Sequence, residues 1–136
     1  MTKDSDPGLD LYVKSVLGRK AFDIVMLDVR GLTTVADAFI ICSGRSNRQV
    51  KAIAEYVQVD LKKQGIKPLS VEGKTDGHWI LMDYGHVIIH VFYEPTREFF
   101  DLEGLWIDAK RIETKSLAVK QANGEENMTV WAIDDY

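Results

Sequence analysis

From Trp79 to Val91 the chain switches between two kinds of residue at every step, on either side of a turn at Asp83-Tyr84-Gly85-His86. Successive side chains of a strand point to opposite faces. The two runs therefore predict a hairpin with unlike faces. Ile80, Met82, Val87, Ile89 and Val91 share one; Trp79, Leu81, Asp83, His86, Ile88 and His90 share the other. Gly85 supplies a turn conformation that L-residues avoid. A four-residue loop pairs Met82 with Val87, Leu81 with Ile88, Ile80 with Ile89 and Trp79 with His90. A one-residue slip would mix the two sets, and burial of the aliphatic face opposes it. A face bearing tryptophan, histidine and aspartate suits binding better than core. The plainer alternative is that a helix covers this face and its histidines are satisfied internally.

Elsewhere the periodicity is helical or strand-like in short runs. Asp6-Pro7 is a helix start, with an acceptor before a proline. Leu9, Tyr12, Val13, Val16 and Leu17 continue at helical spacing until Gly18. Residues 22–29 predict a strand, and 37–42 an apolar central strand. Ser46 and Gln49 form a capping box for a helix to about Gln64, with Val50, Ile53, Ala54, Val57 and Leu61 as its buried stripe. Residues 66–72 predict a third strand, and the hairpin supplies two more. A short helical segment runs from about Arg97 to Gly104. The order is helix, two strands, helix, three strands, helix. The expected architecture is α/β (α+β): a five-stranded mixed sheet with helices against it and at least one parallel pair around the crossover helix. Past residue 113 the periodicity fades. Residues 1–113 are read as one domain and 114–136 as an extension, part of which docks through Trp131 and Ile133.

At 136 residues, with 46% hydrophobic and 28% charged, the chain has the balance of one water-soluble globular domain. No apolar run reaches the roughly 20 residues of a membrane helix, and the N-terminus lacks the apolar stretch of a signal peptide. A cytoplasmic location is expected. Cys42, the single cysteine, lies in an apolar run and reads as a buried structural thiol. The net charge of −4 is localised. Residues 123–136 hold Glu125, Glu126, Asp134 and Asp135 and no cation, which leaves 17 acidic against 17 basic groups in the rest. An acidic tail on a neutral body fits a basic protein partner better than a non-specific nucleic-acid ligand.

Candidate chemistry is sparse. Ser43-Gly44-Arg45-Ser46 joins a strand to a helix start, where anions can bind. Nucleotidyl transfer on such a layout needs paired carboxylates for Mg2+ on a neighbouring strand, and the following strand offers only Glu72. A plain N-cap explains the turn better. His86 and His90 share a face but stand roughly 13 Å apart at ~3.4 Å per residue, too far to chelate one ion. His78 faces the other way, and no metal site or cofactor is expected. Arg30, Arg45, Arg48 and Lys51 are explained by the wet face of an amphipathic helix. In the segment Phe99, Phe100, Asp101, Leu102, Glu103, Leu105, Trp106, some aromatics must cover the sheet edge. Trp106 is core, dimer contact or partner contact, in that order of expectation. Outward aromatics ringed by acids make a receptor for an Arg- or Lys-rich protein.

Several motifs in one order and spacing resemble the ribosomal silencing factor family, also called Iojap-related proteins. They are Asp23–Arg30 (DIVMLDVR), Ala36–Val50 (ADAFIICSGRSNRQV), Glu72-Gly73, Trp79–Gly85 (WILMDYG), His90-Val91-Phe92, Arg97 and Asp101–Trp106 (DLEGLW). The resemblance spans roughly residues 9–113. It implies a nucleotidyltransferase-like fold without the catalytic carboxylates, and a role that is not enzymatic. It also implies binding to the large ribosomal subunit at its uL14-type protein, which blocks joining of the small subunit, and homodimers of the free protein. The expected docking surface is Trp79, Leu81, Asp83 and His90, with Tyr84 at the turn and Asp101, Glu103 and Trp106 nearby. Two readings compete with this one. A nucleotidyltransferase-like or nucleotide-binding protein would show a thermal shift with ATP and Mg2+. A dimeric adaptor would bury Trp79 or Trp106 between its protomers.

Overall fold

The computed structural model describes residues 7–119. The order is α1 (Pro7–Leu17), β1 (Phe22–Asp28), β2 (Ala38–Gly44), α2 (Asn47–Lys62), β3 (Ser70–Glu72), β4 (Trp79–Asp83), β5 (Val87–Tyr93), α3 (Glu94–Phe100), α4 (Leu102–Leu105) and β6 (Lys110–Arg111). The strands form one mixed sheet in the order β3-β4-β5-β2-β1-β6. Its single parallel pair among the described residues is β2 with β5. Helix α2 packs against β2, β4 and β5, so it covers the sheet inside the crossover, as a parallel connection requires.

Three expectations need correction. The sheet has six strands, not five: Lys110 and Arg111 pair with Asp28 and Leu27. A two-residue strand carries no alternation to read. The third strand is shorter than 66–72 and lies on the edge, antiparallel to β4. The hairpin register is displaced by two residues, with Trp79 opposite Phe92, Leu81 opposite His90 and Asp83 opposite Ile88. Its loop is only Gly85-His86, closed by the Tyr84 N–H donating to Val87 O at 2.9 Å. Gly85 at φ 93° opens this tight turn, which follows the sheet's twist better than a four-residue loop. A shift of two residues leaves the side chains of the paired strands on their expected faces, but His86, expected on the Trp79 face, lies in the turn with its ring 5.6 Å from that of Tyr12 of α1, on the helix side.

Those faces have different fates. Ile80, Met82, Val87, Ile89 and Val91 are fully buried beneath α1 and α2. Val13 and Val16 of α1 and Val50, Ile53, Val57 and Leu61 of α2 complete this layer. The other face carries a smaller cluster of Leu27, Phe39, Ile41, Ile88 and Phe92, covered by Leu102 and Trp106. Here the alternative of a covering helix holds for part of the face only, because α4 is four residues long and α3 has no buried residue.

Helix α2 is capped by Ser46, whose Oγ accepts from the Gln49 N–H at 3.1 Å. The reciprocal half of the capping box is rearranged. Gln49 Oε1 accepts from Arg45 N–H at 2.6 Å, and its Nε2 donates to the carbonyls of Lys20 and Arg19. Residues 114–119, assigned above to the extension, pack on α1: Leu117 is buried, and Asp10 accepts from the Ser116 N–H and Oγ–H at 3.0 and 2.8 Å. The expected docking of Trp131 and Ile133, the acidic run 123–136 and Asp6 lie outside the described residues.

Candidate functional site

The half-covered face is built around β4 and β5. Trp79 opens β4, and its ring stacks on Phe92 of β5 at 4.7 Å between centroids. Its indole N–H donates to His90 Nδ1 at 3.1 Å. That bond places the proton of neutral His90 on Nε2, a buried atom with no partner among the described residues. The His90 ring meets Phe39 edge-on at 5.1 Å, and Phe39 meets Trp106 edge-on at 5.2 Å. Burial lowers the His90 pKa to about 4. His90 is therefore neutral near pH 7 and stands behind the surface rather than on it.

The other expected residues divide. Leu81 and Asp83 lie half-buried on the same face as Trp79. Asp83 Oδ1 accepts from the Gly85 N–H at 2.8 Å and so also shapes the turn. Tyr84 is not on this face. Its ring is buried against Tyr12 of α1, 5.5 Å away, because Tyr84, directly after β4, continues the alternation that points Ile80 and Met82 at the helices. Trp106 packs into the smaller cluster, in agreement with the first-ranked expectation. Asp101 is exposed and left-handed at φ 48°, ending α3 and capping α4 by accepting from the Gly104 N–H at 3.2 Å.

Glu103 is already paired. Its two carboxylate oxygens accept from Arg97 Nε and NH2 at 3.3 and 2.7 Å. Arg97 NH1 reaches the sheet, donating to Ser43 Oγ and to the Asp23 carbonyl, both at 2.7 Å. That carbonyl is available because β1 bulges at Asp23, which adopts φ 51°. The Arg97 bonds lower the Glu103 pKa against a smaller opposing effect of burial. One guanidinium thus fastens α3 and α4 to β1 and β2, in place of the apolar anchors that α3 lacks. Ser43, at the strand-to-helix turn, is held by the same contact.

What reaches solvent here is apolar. Phe99 is 80% exposed, Ile107 78%, Leu105 76% and Phe100 48%. Phe100 leans on Trp79 at 5.2 Å and on Phe99 at 5.0 Å, so these rings continue the Trp79 edge outward. Glu98, Asp101 and Asp108 are exposed in the same segment. The sequence suggested that some aromatics of this segment cover the sheet edge and others face outward, without assigning Phe99 or Phe100 to either, and it passed over Ile107. The available signal was Phe99-Phe100 and Leu105-Trp106-Ile107: adjacent apolar residues on short helical turns cannot all face inward. Cys42 is fully buried, and burial pushes its thiol pKa up to about 12, outweighing the pull of Arg97. No group of three or more His, Cys, Asp or Glu converges among the described residues.

The family described as "Ribosomal silencing factor during starvation" matches residues 2–134. A ribosomal silencing factor of Halalkalibacterium halodurans is 38% identical over 109 residues, covering 80% of this chain and 93% of that protein. A crystal structure of a Chromobacterium violaceum protein superposes with a TM-score of 0.70 at 40% identity, covering 72% of this chain and 82% of that one. A mouse protein named "Mitochondrial assembly of ribosomal large subunit protein 1" is 32% identical over 101 residues, or 72% of this chain and 44% of that protein.

Proposed function

The chain belongs to the ribosomal silencing factor family, and from that premise we propose that it binds the large ribosomal subunit through its uL14-type protein and blocks joining of the small subunit. Membership makes it a ribosome-associated regulator of translation. The mode of action needs no bond to be made or broken. A rigid body docked where the other subunit must sit lowers the number of active ribosomes in proportion to its occupancy. The name of the mouse relative supports the choice of the large subunit. No helix among the described residues is long and apolar enough to cross a membrane.

One observation carries the reading: Phe100 leans on Trp79 and Phe99 on Phe100, and Leu105 and Ile107 are exposed further along the same segment, which Arg97 fastens. An apolar centre with acids at its border fits a partner surface with an apolar centre and basic border. Trp79, Phe99, Phe100, Leu105 and Ile107 are the anchors in this scheme. Asp83, Asp101, Glu98 and Asp108 set approach and orientation. His90, Trp106 and Glu103 support from behind, and Tyr84 belongs to the helix side. Homodimerisation of the free protein is a separate part of the proposal, read by equilibrium sedimentation.

The test is to pellet the protein with purified large and small subunits separately, then add the missing subunit. It is expected to sediment with the large subunit alone and to lower the yield of joined ribosomes. Pelleting with neither subunit would sink the proposal. A raised melting temperature with ATP and Mg2+ would favour a nucleotide-binding protein instead.

A further inference from the structure

Where β2 and β5 end, the fold gathers basic residues from two elements. Gln49 in the first turn of α2 donates to the carbonyls of Arg19 and Lys20, in the turn after α1, and accepts from the Arg45 N–H. One side-chain amide thereby sets Arg19 and Lys20 beside Arg45 and Arg48, with Lys51 one turn further along α2. All five are exposed. The Arg45 guanidinium lies 5.0 Å over the Phe22 ring and that of Arg19 5.8 Å over Tyr56. Residues 18–23 and 45–55 hold these five cations against two acids, Asp23 and Glu55.

This placement runs against helix electrostatics. The first turn of α2 contains no acid, although a helix dipole favours acids there and opposes cations by about 0.3–1 kcal/mol each. A helix serving only as a wet face would gain by the reverse arrangement. A docked polyanion removes the disadvantage.

The basic edge also adjoins the apolar patch. Gly77, two residues before Trp79, lies against the Asn47 carbonyl and the Lys51 side chain, so closely that a Cβ there would meet both at 2.9 Å. On the other side, Arg97 of α3 is bonded to Ser43, two residues before Arg45. A partner seated on Trp79 and Phe100 therefore brings its neighbouring surface towards the cations.

We propose that Arg19, Lys20, Arg45, Arg48 and Lys51 form a second contact surface, for the phosphate backbone of ribosomal RNA beside the protein bound at the Trp79–Phe100 patch. Exposed cations drawn from separate segments suit repeated phosphates better than a folded acidic protein. Three of the five are arginines, whose fork matches phosphate oxygens. The contact is independent of base sequence. It rests on the reading of the patch as a large-subunit contact.

The experiment compares the wild-type chain with Arg48→Gln/Lys51→Gln and with Arg19→Gln/Arg45→Gln/Arg48→Gln/Lys51→Gln, each checked by thermal melting. Binding is measured from about 0.05 to 0.3 M KCl, on purified large subunits and on isolated RNA-free uL14-type protein. On subunits, wild-type affinity should fall steeply with salt. The double variant should lower the log–log slope by about 1.4, and the quadruple by about 3, at roughly 0.7 per phosphate released. Affinity for isolated uL14-type protein should not change. Wild-type slope and affinity of the quadruple variant on subunits would overturn the proposal, as would an equal loss on both probes, which would assign the edge to an acidic protein surface. Wild-type protein that binds neither probe would overturn the docking reading and this one together. Normal wild-type binding with an unaffected variant overturns this one alone.

Discussion

The two faces of one sheet are built to opposite ends. Beneath α1 and α2, the side chains of β4 and β5 are aliphatic and wholly buried. On the far side the same strands carry Trp79, Leu81, His90 and Phe92, roofed among the described residues by Leu102, Trp106 and a segment fastened through one arginine. Alternation along two short strands is enough to separate a fully buried surface from a half-covered one, because consecutive residues answer to different neighbours. The helix face tolerates no gaps. The aromatic face leaves apolar area exposed, which is the surface the proposed docking would cover.

The largest test of the contrast is truncation of equal chemistry on each side. Ile89→Ala, under the helices, should cost about 2–5 kcal/mol in denaturant unfolding by leaving a cavity in close-packed surroundings. Next in size is a pH effect from the aromatic face. Burial holds His90 near a pKa of about 4, whereas the unfolded residue titrates near about 6.5. Between those values the unfolded chain binds a proton that the folded chain refuses. The contribution is fully present above pH ~6.5 and falls as pH drops towards about 4, by on the order of 1 kcal/mol per pH unit. His90→Phe should flatten that part of the stability profile. An unchanged profile would mean that His90 titrates normally, with solvent access.

Smaller in energy but opposite in character is Phe99→Ala/Ile107→Ala. Both side chains are exposed, so stability should stay within about 0.5 kcal/mol. Affinity for the large subunit should fall by about 2 kcal/mol, roughly thirtyfold. Trp79→Ala is a less clean probe, because it also removes the stack on Phe92 and the donor to His90. Full affinity in the double variant would move the docking surface elsewhere and abolish the division of labour between the faces.

How much of this was readable beforehand follows from what alternation encodes. Face membership along the paired strands came through intact, because a period of two is local and strong; at the turn it failed, where His86 meets Tyr12 of α1. Register was not legible, since shifts by two preserve the pattern and only the turn decides between them. The apolar stripe of α2 was legible down to Val50, Ile53, Ala54, Val57 and Leu61. The sixth strand was not, because two residues have no period. The shared face of Trp79, Leu81 and Asp83 was legible from alternation. Tyr84 was misplaced by treating a strand end as loop. The internal partners of His90 and Glu103 were not legible, because polarity says nothing about where a partner lies. Glu103 is held by Arg97, whose remaining contacts are to Ser43 and Asp23, 54 and 74 residues away in the chain. No local pattern reports such a contact.

The smallest expected effect tests that fastening directly. Glu103→Gln keeps the shape of the side chain and removes the charge opposite Arg97. The loss in stability should be about 1 kcal/mol, for a partly exposed charge-assisted pair. The Glu103 pKa is lowered in the folded protein, chiefly by Arg97. Its contribution is thus fully present above the usual carboxylate range and disappears as pH falls through the lowered value. Wild type and variant should converge in acid and separate as pH rises. The more telling readout is local. Amide exchange across residues 97–107 should quicken in the variant while β4 and β5 remain protected. Large-subunit binding should weaken several-fold even though Glu103 touches no partner in this scheme. If binding drops while exchange over 97–107 is unchanged, Glu103 meets the partner itself, and the aromatic face carries its acids outward as well as its rings.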